Sequence, residues 1–372
     1  MSELIEKKTG YSSRRDLLLS ASLAALVAAC SAPAEAATDD GDRPVVWIEL
    51  GGELDAIQQD KSLFAPSFFN HSAPGIVAPM VDSQKLPQFG FASDGKITFA
   101  PEDSNWAFSV SVRYGQTNGG NHLHHESAVS TKTQLFPSSN NFVGDGQTLY
   151  HGSHLVADFQ AGKDVGLGMF GSGSTSLISA GVRFAQFNSN AHVTLHAKPY
   201  IHNSRNAVFP SKYIFRNRHS IDYTAVVYAD RGTRAIGPAL SWDASIPVVR
   251  PGEQTTFNFD WGVNASVLFG RQTTRIHQQT SVYHFNLVAF GSPPTQTARS
   301  VHPTHHTRAR TVTVPNIGGF LGASLKFPNA KVSIGYRADL FFNAIDEGYD
   351  TRKSSMLGFY GPFATISIGI GG

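Results

Sequence analysis

Residues 257–270 read Phe-Asn-Phe-Asp-Trp-Gly-Val-Asn-Ala-Ser-Val-Leu-Phe-Gly, and every second residue from Phe257 to Phe269 is apolar. Successive side chains of a β-strand point to opposite faces, so this alternation predicts a strand with one apolar face and one small or polar face. A tilted strand of about ten residues is long enough to cross the hydrocarbon core of a membrane.

The same alternation recurs from Val45 to the end of the chain. The clearest further strands are 106–114, 236–246 and 332–342, and segment 193–201 alternates with Val193 and Leu195 on its apolar face. We therefore predict an all-β fold, a closed antiparallel transmembrane β-barrel of about 12 strands (range 10–14). The weaker strands are predicted at 45–55, 90–99, 151–161, 177–187, 221–229, 311–327 and 355–370.

The connections between these strands are of two kinds. Residues 101–105 and 328–329 form short, turn-like connections. Long polar loops are predicted at 56–88, 116–149, 203–219 and 272–310. Outer-membrane barrels have this arrangement, with tight turns at one end and surface loops at the other.

The apolar faces are predicted to meet lipid rather than a protein core. The clearest of these faces carry no Asp, Glu, Lys or Arg, and aromatic residues such as Trp106 and Tyr114 stand at strand ends. A charge at the lipid midplane would cost about 2–4 kcal/mol. The opposite faces then line the lumen, and their charges either pair across strands and fill the interior or line a hydrated passage. The pore-lining candidates are Glu49, Glu53, Arg113, Asp158, Arg183, Lys198, Asp243, Asp260, Lys331, Arg337 and Asp339.

The first 36 residues are predicted to be a signal peptide, followed by a short tail at 37–44 and the barrel at 45–372. Basic residues precede an apolar run that begins at Leu17, and the small-x-small sequence Ala34-Glu35-Ala36 predicts cleavage before Ala37. The adjacent Arg14 and Arg15 leave open a twin-arginine signal as well as an ordinary export signal. A lipobox-like sequence ending at Cys30 is a further alternative.

The composition limits the kinds of partner and site that the chain can have. Charged residues make up 16% of the chain and the net charge is +2, which argues against a nucleic-acid partner. Cys30 is the single cysteine, so cleavage after Ala36 leaves no disulfide, Cys-zinc site or Cys nucleophile. We predict no cofactor.

Histidine clusters provide weak candidates for a metal site. His122, His124, His125 and Glu126 lie close together, but their spacing matches no defined site. A second His-rich stretch is 302–310. The sequence contains no Gly-x-Ser-x-Gly elbow, His-Glu-x-x-His or P-loop, so we predict that the chain is not an enzyme.

Several strand sequences resemble the Legionella major outer membrane protein-like family of pore-forming barrels. They are Trp47–Glu53, Asp158–Gly166, Ala180–Phe187 and Val332–Phe342, with Gly361-Pro362-Phe363 after them. The resemblance spans most of the chain from about residue 45, and it implies a closed outer-membrane barrel and pore formation. The chain departs from outer-membrane barrels in ending with Ile370-Gly371-Gly372 rather than an aromatic residue.

The sequence therefore predicts a porin-like barrel in the outer membrane of a Gram-negative bacterium, reached through the periplasm. Its partners would be outer-membrane lipid, lipopolysaccharide and small solutes, with passive passage or a structural role. One alternative is a soluble exported β-protein that binds a ligand, which the twin-arginine-like signal and the C-terminus favour. Another is a surface adhesion barrel with recognition loops.

Overall fold

The computed structural model describes residues 45–59, 88–101, 104–128, 142–165, 174–199, 218–252, 254–287, 295–348 and 351–371. The predicted signal peptide and the tail at 37–44 lie outside these ranges. Ten β-strands account for nearly all the described residues: β1 (Val46–Gln59), β2 (Gln88–Phe99), β3 (Trp106–Ala128), β4 (Phe142–Asp164), β5 (Thr175–Pro199), β6 (Arg218–Gly252), β7 (Thr255–Leu287), β8 (Thr295–Lys326), β9 (Ala330–Asp346) and β10 (Ser354–Ile370). The described residues include no helix with the length and apolar character to cross a membrane.

The strands pair in sequence order and every pairing is antiparallel. β1 also pairs with β10, from Val46 opposite Ile370 to Gln59 opposite Leu357, so the hydrogen-bonded pairing runs round a complete ring. The all-β antiparallel prediction is confirmed.

The described residues form ten strands rather than the expected 12, at the lower limit of the predicted range of 10–14. The segments predicted at 177–187 and 193–201 are one strand, β5, and those at 221–229 and 236–246 are one strand, β6. Polar residues interrupt the alternation in both places, yet the backbone continues to pair without a turn.

Two of the predicted long loops are largely strand. Residues 116–128 and 142–149 extend β3 and β4, and residues 272–287 and 295–310 extend β7 and β8. The three longest strands, β6 to β8, have 35, 33 and 32 residues. At about 3.3 Å per residue they are far longer than a membrane crossing requires. Of the other predicted loops, 60–87 and 203–217 lie outside the described residues.

The apolar face of most strands points away from the ring. Leu240 and Ile334 are 61% and 62% exposed on the outside, whereas Glu53 and Asp339 are 1% and 3% exposed on the inside. Segment 193–201 is the exception to the prediction, because its apolar residues Val193, Leu195 and Ala197 are fully buried on the inward face.

Uncharged outward residues form a continuous belt around the ring. On β9 the belt runs from Val332 to Phe342, which corresponds to a height of about 25 Å for a strand tilted by about 40°. Outward positions become polar at one edge of the belt, where Phe269 of β7 is followed by Arg271 and Arg275 on the same face. In the described strands, the outward belt positions lie within 48–54, 89–99, 106–114, 155–161, 178–184, 236–246, 257–269, 315–325, 332–342 and 360–370.

Candidate functional site

The inward face of the ring carries ten of the eleven pore-lining candidates. Lys198 is the exception, because its side chain lies outside the described side chains. The ten form two groups, one in a polar cavity near the short turns and one in an ion-paired layer above it. They are Glu49, Glu53, Arg113, Asp158, Arg183, Asp243, Asp260, Lys331, Arg337 and Asp339.

A polar vestibule opens at the end of the ring that has the short turns. Two neighbouring cavities of about 640 Å³ and 340 Å³ share the lining residues Glu49, Lys96 and Lys331. Lys331 Nζ lies 2.8 Å from Asp260 Oδ2, and Ser245 donates a hydrogen bond to Asp260. The inner cavity ends at Arg113, Arg183, Arg337 and Asp339.

An ion-paired layer crosses the lumen at this level. Arg113 of β3 lies 2.6 Å from Asp339 of β9, although four steps around the ring separate these strands. Arg113 and Arg337 also share Glu53, at 3.6 and 3.2 Å. Arg337 lies 3.7 Å from Asp94 of β2. The guanidinium groups thus link β1, β2, β3 and β9 through the interior.

Arg183 completes the layer on the opposite wall. Its Nε and Nη2 donate to the two carboxylate oxygens of Asp158 at 2.7 and 2.9 Å, a bidentate pair. Its Nη1 donates to Asn264 at 2.6 Å and also to Asn316. Asn264 in turn donates to Asp339 at 3.4 Å, which joins the two halves of the layer.

An aromatic layer lies directly above the ion pairs. The ring centroids of Phe187 and Phe341 are 4.8 Å apart, and those of Phe187 and Phe359 are 5.9 Å apart. His154 packs on Phe359 at 4.0 Å and its Nε2 lies 3.3 Å from Asp55. The side chains that complete this buried cluster come from β4 to β10: Val156, Ala185, Ala235, Leu268, Val312, Val314, Ala344, Ile345 and Leu357.

Side chains therefore fill the lumen at mid-height. A ring of ten strands spaced about 4.8 Å apart and tilted by about 40° is roughly 20 Å across between backbones. Opposing phenylalanine and arginine side chains bridge that width. The interior is polar up to the ion-paired layer and apolar immediately beyond it.

The sequence prediction missed several of these residues. Asp55, Asp94 and His154 were not among the candidates, nor were the three phenylalanines. They could have been found from the alternation of strand residues, because residues an even number of positions apart share a face. Phe341 shares a face with Arg337 and Asp339 in this way, and Phe187 shares one with Arg183. An aromatic residue on the charged face of a strand indicates a filled lumen.

The histidine candidates for metal binding are only partly described. The side chains of His122, His124 and Glu126 lie outside the described side chains. His125 is exposed and its Nδ1 lies 2.6 Å from Asp145 Oδ1, on the outside of the ring. Within the described residues, His, Cys, Asp and Glu form no group of three or more that fits a metal ion.

Comparison with known proteins gives structural similarities only. No family model and no curated protein matches the chain. The solved structures it resembles include the translocator domain of autotransporter NalP from Neisseria meningitidis, at 9% identity and a TM-score of 0.21, covering 96% of this chain and 97% of that one. The transport unit of the autotransporter AIDA-I from Escherichia coli gives 7% identity, a TM-score of 0.23 and coverage of 91% and 94%. The TodX deltaS2S3 mutant monoaromatic hydrocarbon channel gives 9% identity and a TM-score of 0.22, and the match covers 90% of this chain and 91% of that one.

Proposed function

We propose that this chain is an outer-membrane β-barrel of the pore-forming kind whose lumen is closed at mid-height by side chains. The observation that carries the proposal is its inside-out polarity, with a charged interior enclosed by an uncharged apolar exterior. A soluble barrel has the opposite arrangement, since it must bury its apolar face. Large exposed apolar patches on soluble monomers rarely exceed a few hundred Å², whereas this belt surrounds the whole ring.

The height of the belt supports a membrane position. About 25 Å is the height of the apolar band of outer-membrane barrels. Arg234 and Arg271 lie next to each other in the register of β6 and β7, just beyond Ile236 and Phe269. Arginine at this depth reaches the headgroup region, where a charge costs little. Outer-membrane lipid and lipopolysaccharide are therefore the proposed surroundings.

The vestibule supports solute entry, and the two layers above it support gating. Barrels of 8 strands are filled by side chains and those of 16–18 strands leave an aqueous channel. A barrel of ten strands is closer in size to the barrels that side chains fill than to those with an aqueous channel. Passage through this lumen requires the contact between Arg113 and Asp339 to open and the three phenylalanines to separate. Charges of both signs in the interior lead us to expect little preference between small anions and cations.

The proposal agrees with the sequence resemblance to the Legionella major outer membrane protein-like family and includes no catalytic role. The proposal includes export through the periplasm of a Gram-negative bacterium. A second candidate function is surface recognition. It is favoured by β4 to β8, which continue beyond the belt and place polar side chains such as Asn188 and Gln279 on the outside.

The proposal is tested with the full chain in mild detergent. On a cold SDS gel we expect a fast band without boiling and a slow band after boiling, as for a stable barrel. In planar bilayers we expect a resting state of low conductance with discrete openings. Protein that remains in the soluble fraction and shows no mobility shift would overturn the barrel. A barrel that never conducts would favour surface recognition.

A further inference from the structure

Arg308 and Arg310 of β8 lie on the inward face of the ring, above the aromatic layer, and the exposed Arg352 of the connection between β9 and β10 lies beside Arg310. Arg308 has a carboxylate partner, Asp346, at 3.1 Å. Arg310 and Arg352 have none, because in the described part of the chain no carboxylate lies within ion-pair distance of either guanidinium group. Their partners are neutral side-chain oxygens.

Asn343 receives both of these guanidinium groups. Nη2 of Arg310 and Nη2 of Arg352 each donate to Asn343 Oδ1 at 3.2 Å, and Ser354 donates to the same oxygen. The remaining contacts of Arg310 go to Gln272 Oε1, at 2.9 and 2.7 Å. Two positive charges thus converge on one neutral amide oxygen. Burial and the neighbouring charge of Arg352 lower the pKa of Arg310, and the carboxylate of Asp346 offsets this only in part.

The backbone at Asn343 departs from regular strand geometry. Leu357 of β10 is opposite Phe341, and Ser355 is opposite Ile345. This stretch of β9 therefore contains two residues more than the stretch of β10 that it faces, which makes a bulge. Asn343 sits in this bulge with φ of 59°, the one non-glycine residue with positive φ in the described chain. Its Nδ2 donates to the Thr313 carbonyl at 2.9 Å, which fixes the side chain. Bulges and strained residues occur preferentially next to functional sites.

We propose that Arg310 and Arg352 form a binding site for a small oxyanion of the phosphate or carboxylate class. Guanidinium groups match two oxygens of such an anion with parallel N–H donors, and an anion brings the opposite charge that the neutral amide oxygen of Asn343 lacks. The anion takes the place of Asn343 Oδ1 as the shared acceptor. Because Arg310 points into the lumen with Val312 and Val314, the ligand arrives as a solute rather than from the lipid leaflet.

The site lies two residues from the aromatic layer, because Phe341 and Asn343 belong to the same strand. A bound anion that releases Asn343 from the two guanidinium groups loosens the bulge beside Phe341. The effect on passage rests on the proposed pore function, whereas binding of the anion does not depend on it.

The test measures binding of inorganic phosphate to the full chain in detergent by calorimetry, at constant ionic strength set with chloride. We expect saturable binding to the wild type. Arg352→Gln should weaken it about tenfold or more, because the anion loses a hydrogen bond to a charged donor. Arg310→Gln should have a similar effect. Arg271→Gln is the matched control, because Arg271 is exposed on the outward face.

Asn343→Asp provides an independent test. Its carboxylate should occupy the site, abolish phosphate binding and raise the unfolding temperature. The proposal is overturned if the wild type binds no phosphate, if both arginine variants bind it like the wild type, or if Asn343→Asp leaves binding unchanged. Binding in a barrel that never conducts would refute the pore and leave the anion site standing.

Discussion

Phe187 of β5 and Phe359 of β10 stack across the full width of the lumen, with ring centroids 5.9 Å apart and an interplanar angle of 19°. Their strands stand opposite each other in the ring, five positions apart in either direction. Two side chains from opposite walls can meet only where the bore is narrow enough to be filled. This contact therefore marks a level at which side chains fill the lumen, and it is where the proposed pore would have to open.

Truncation of both rings should open the lumen. We expect Phe187→Ala combined with Phe359→Ala to raise single-channel conductance in planar bilayers. Each truncation should also lower the free energy of unfolding, by about 3–5 kcal/mol, because it leaves a cavity. Phe342→Ala is the control, since Phe342 lies on the outward face of β9, away from the lumen. An unchanged conductance in the double variant would contradict closure by this layer.

Loss of Arg113 should destabilise the barrel strongly. Its removal leaves Asp339 and Glu53 buried with fewer cationic partners, which costs about 3–5 kcal/mol. The measurement is the urea midpoint for unfolding from detergent or vesicles. Arg250→Ala should change stability by no more than about 0.5 kcal/mol, because Arg250 is exposed near the short turns. Equal effects of the two substitutions would argue that the ion-paired layer adds nothing to stability.

The face that carries the charges was predictable from sequence, but the contacts between them were not. Parity assigned Arg113 and Asp339 to the interior because each alternates with apolar neighbours. Their 2.6 Å contact depends on the register and tilt of strands far apart in sequence, about which periodicity says nothing. The aromatic layer was missed because parity places Phe341 on the charged face but does not say which side chains of other strands it meets.

Strand length was the other feature that sequence analysis underestimated. Beyond the belt the outward face meets water, so Gln186, Asn188 and Asn190 replace apolar residues on β5. A strand in that position loses the alternation by which it is recognised and is mistaken for a loop. This is why β5 and β6 were each predicted as two strands.

Gly115 should tolerate no side chain. A Cβ at this position would overlap the imidazole of His154, which is buried on the inner face between Asp55 and Phe359. We expect Gly115→Ala to lower the free energy of unfolding by about 1–3 kcal/mol. Gly95→Ala on the neighbouring strand is the control, because its Cβ would have Leu50 as nearest neighbour at 3.8 Å. Thermal unfolding of both variants in the same detergent separates the two cases, and similar midpoints would refute the packing around His154.

A single charge on the outside of β7 should locate the membrane. Val263 is 50% exposed at the middle of the apolar belt, and Gln279 is exposed on the same face of the same strand beyond its edge. If lipid surrounds the belt, Val263→Arg should reduce the free energy of folding into vesicles by about 2–4 kcal/mol, whereas Gln279→Arg should have almost no effect. In a water-soluble protein an arginine at either exposed position would be tolerated. Equal stability of the two variants would therefore rule out the membrane position, even if the charged interior is as described.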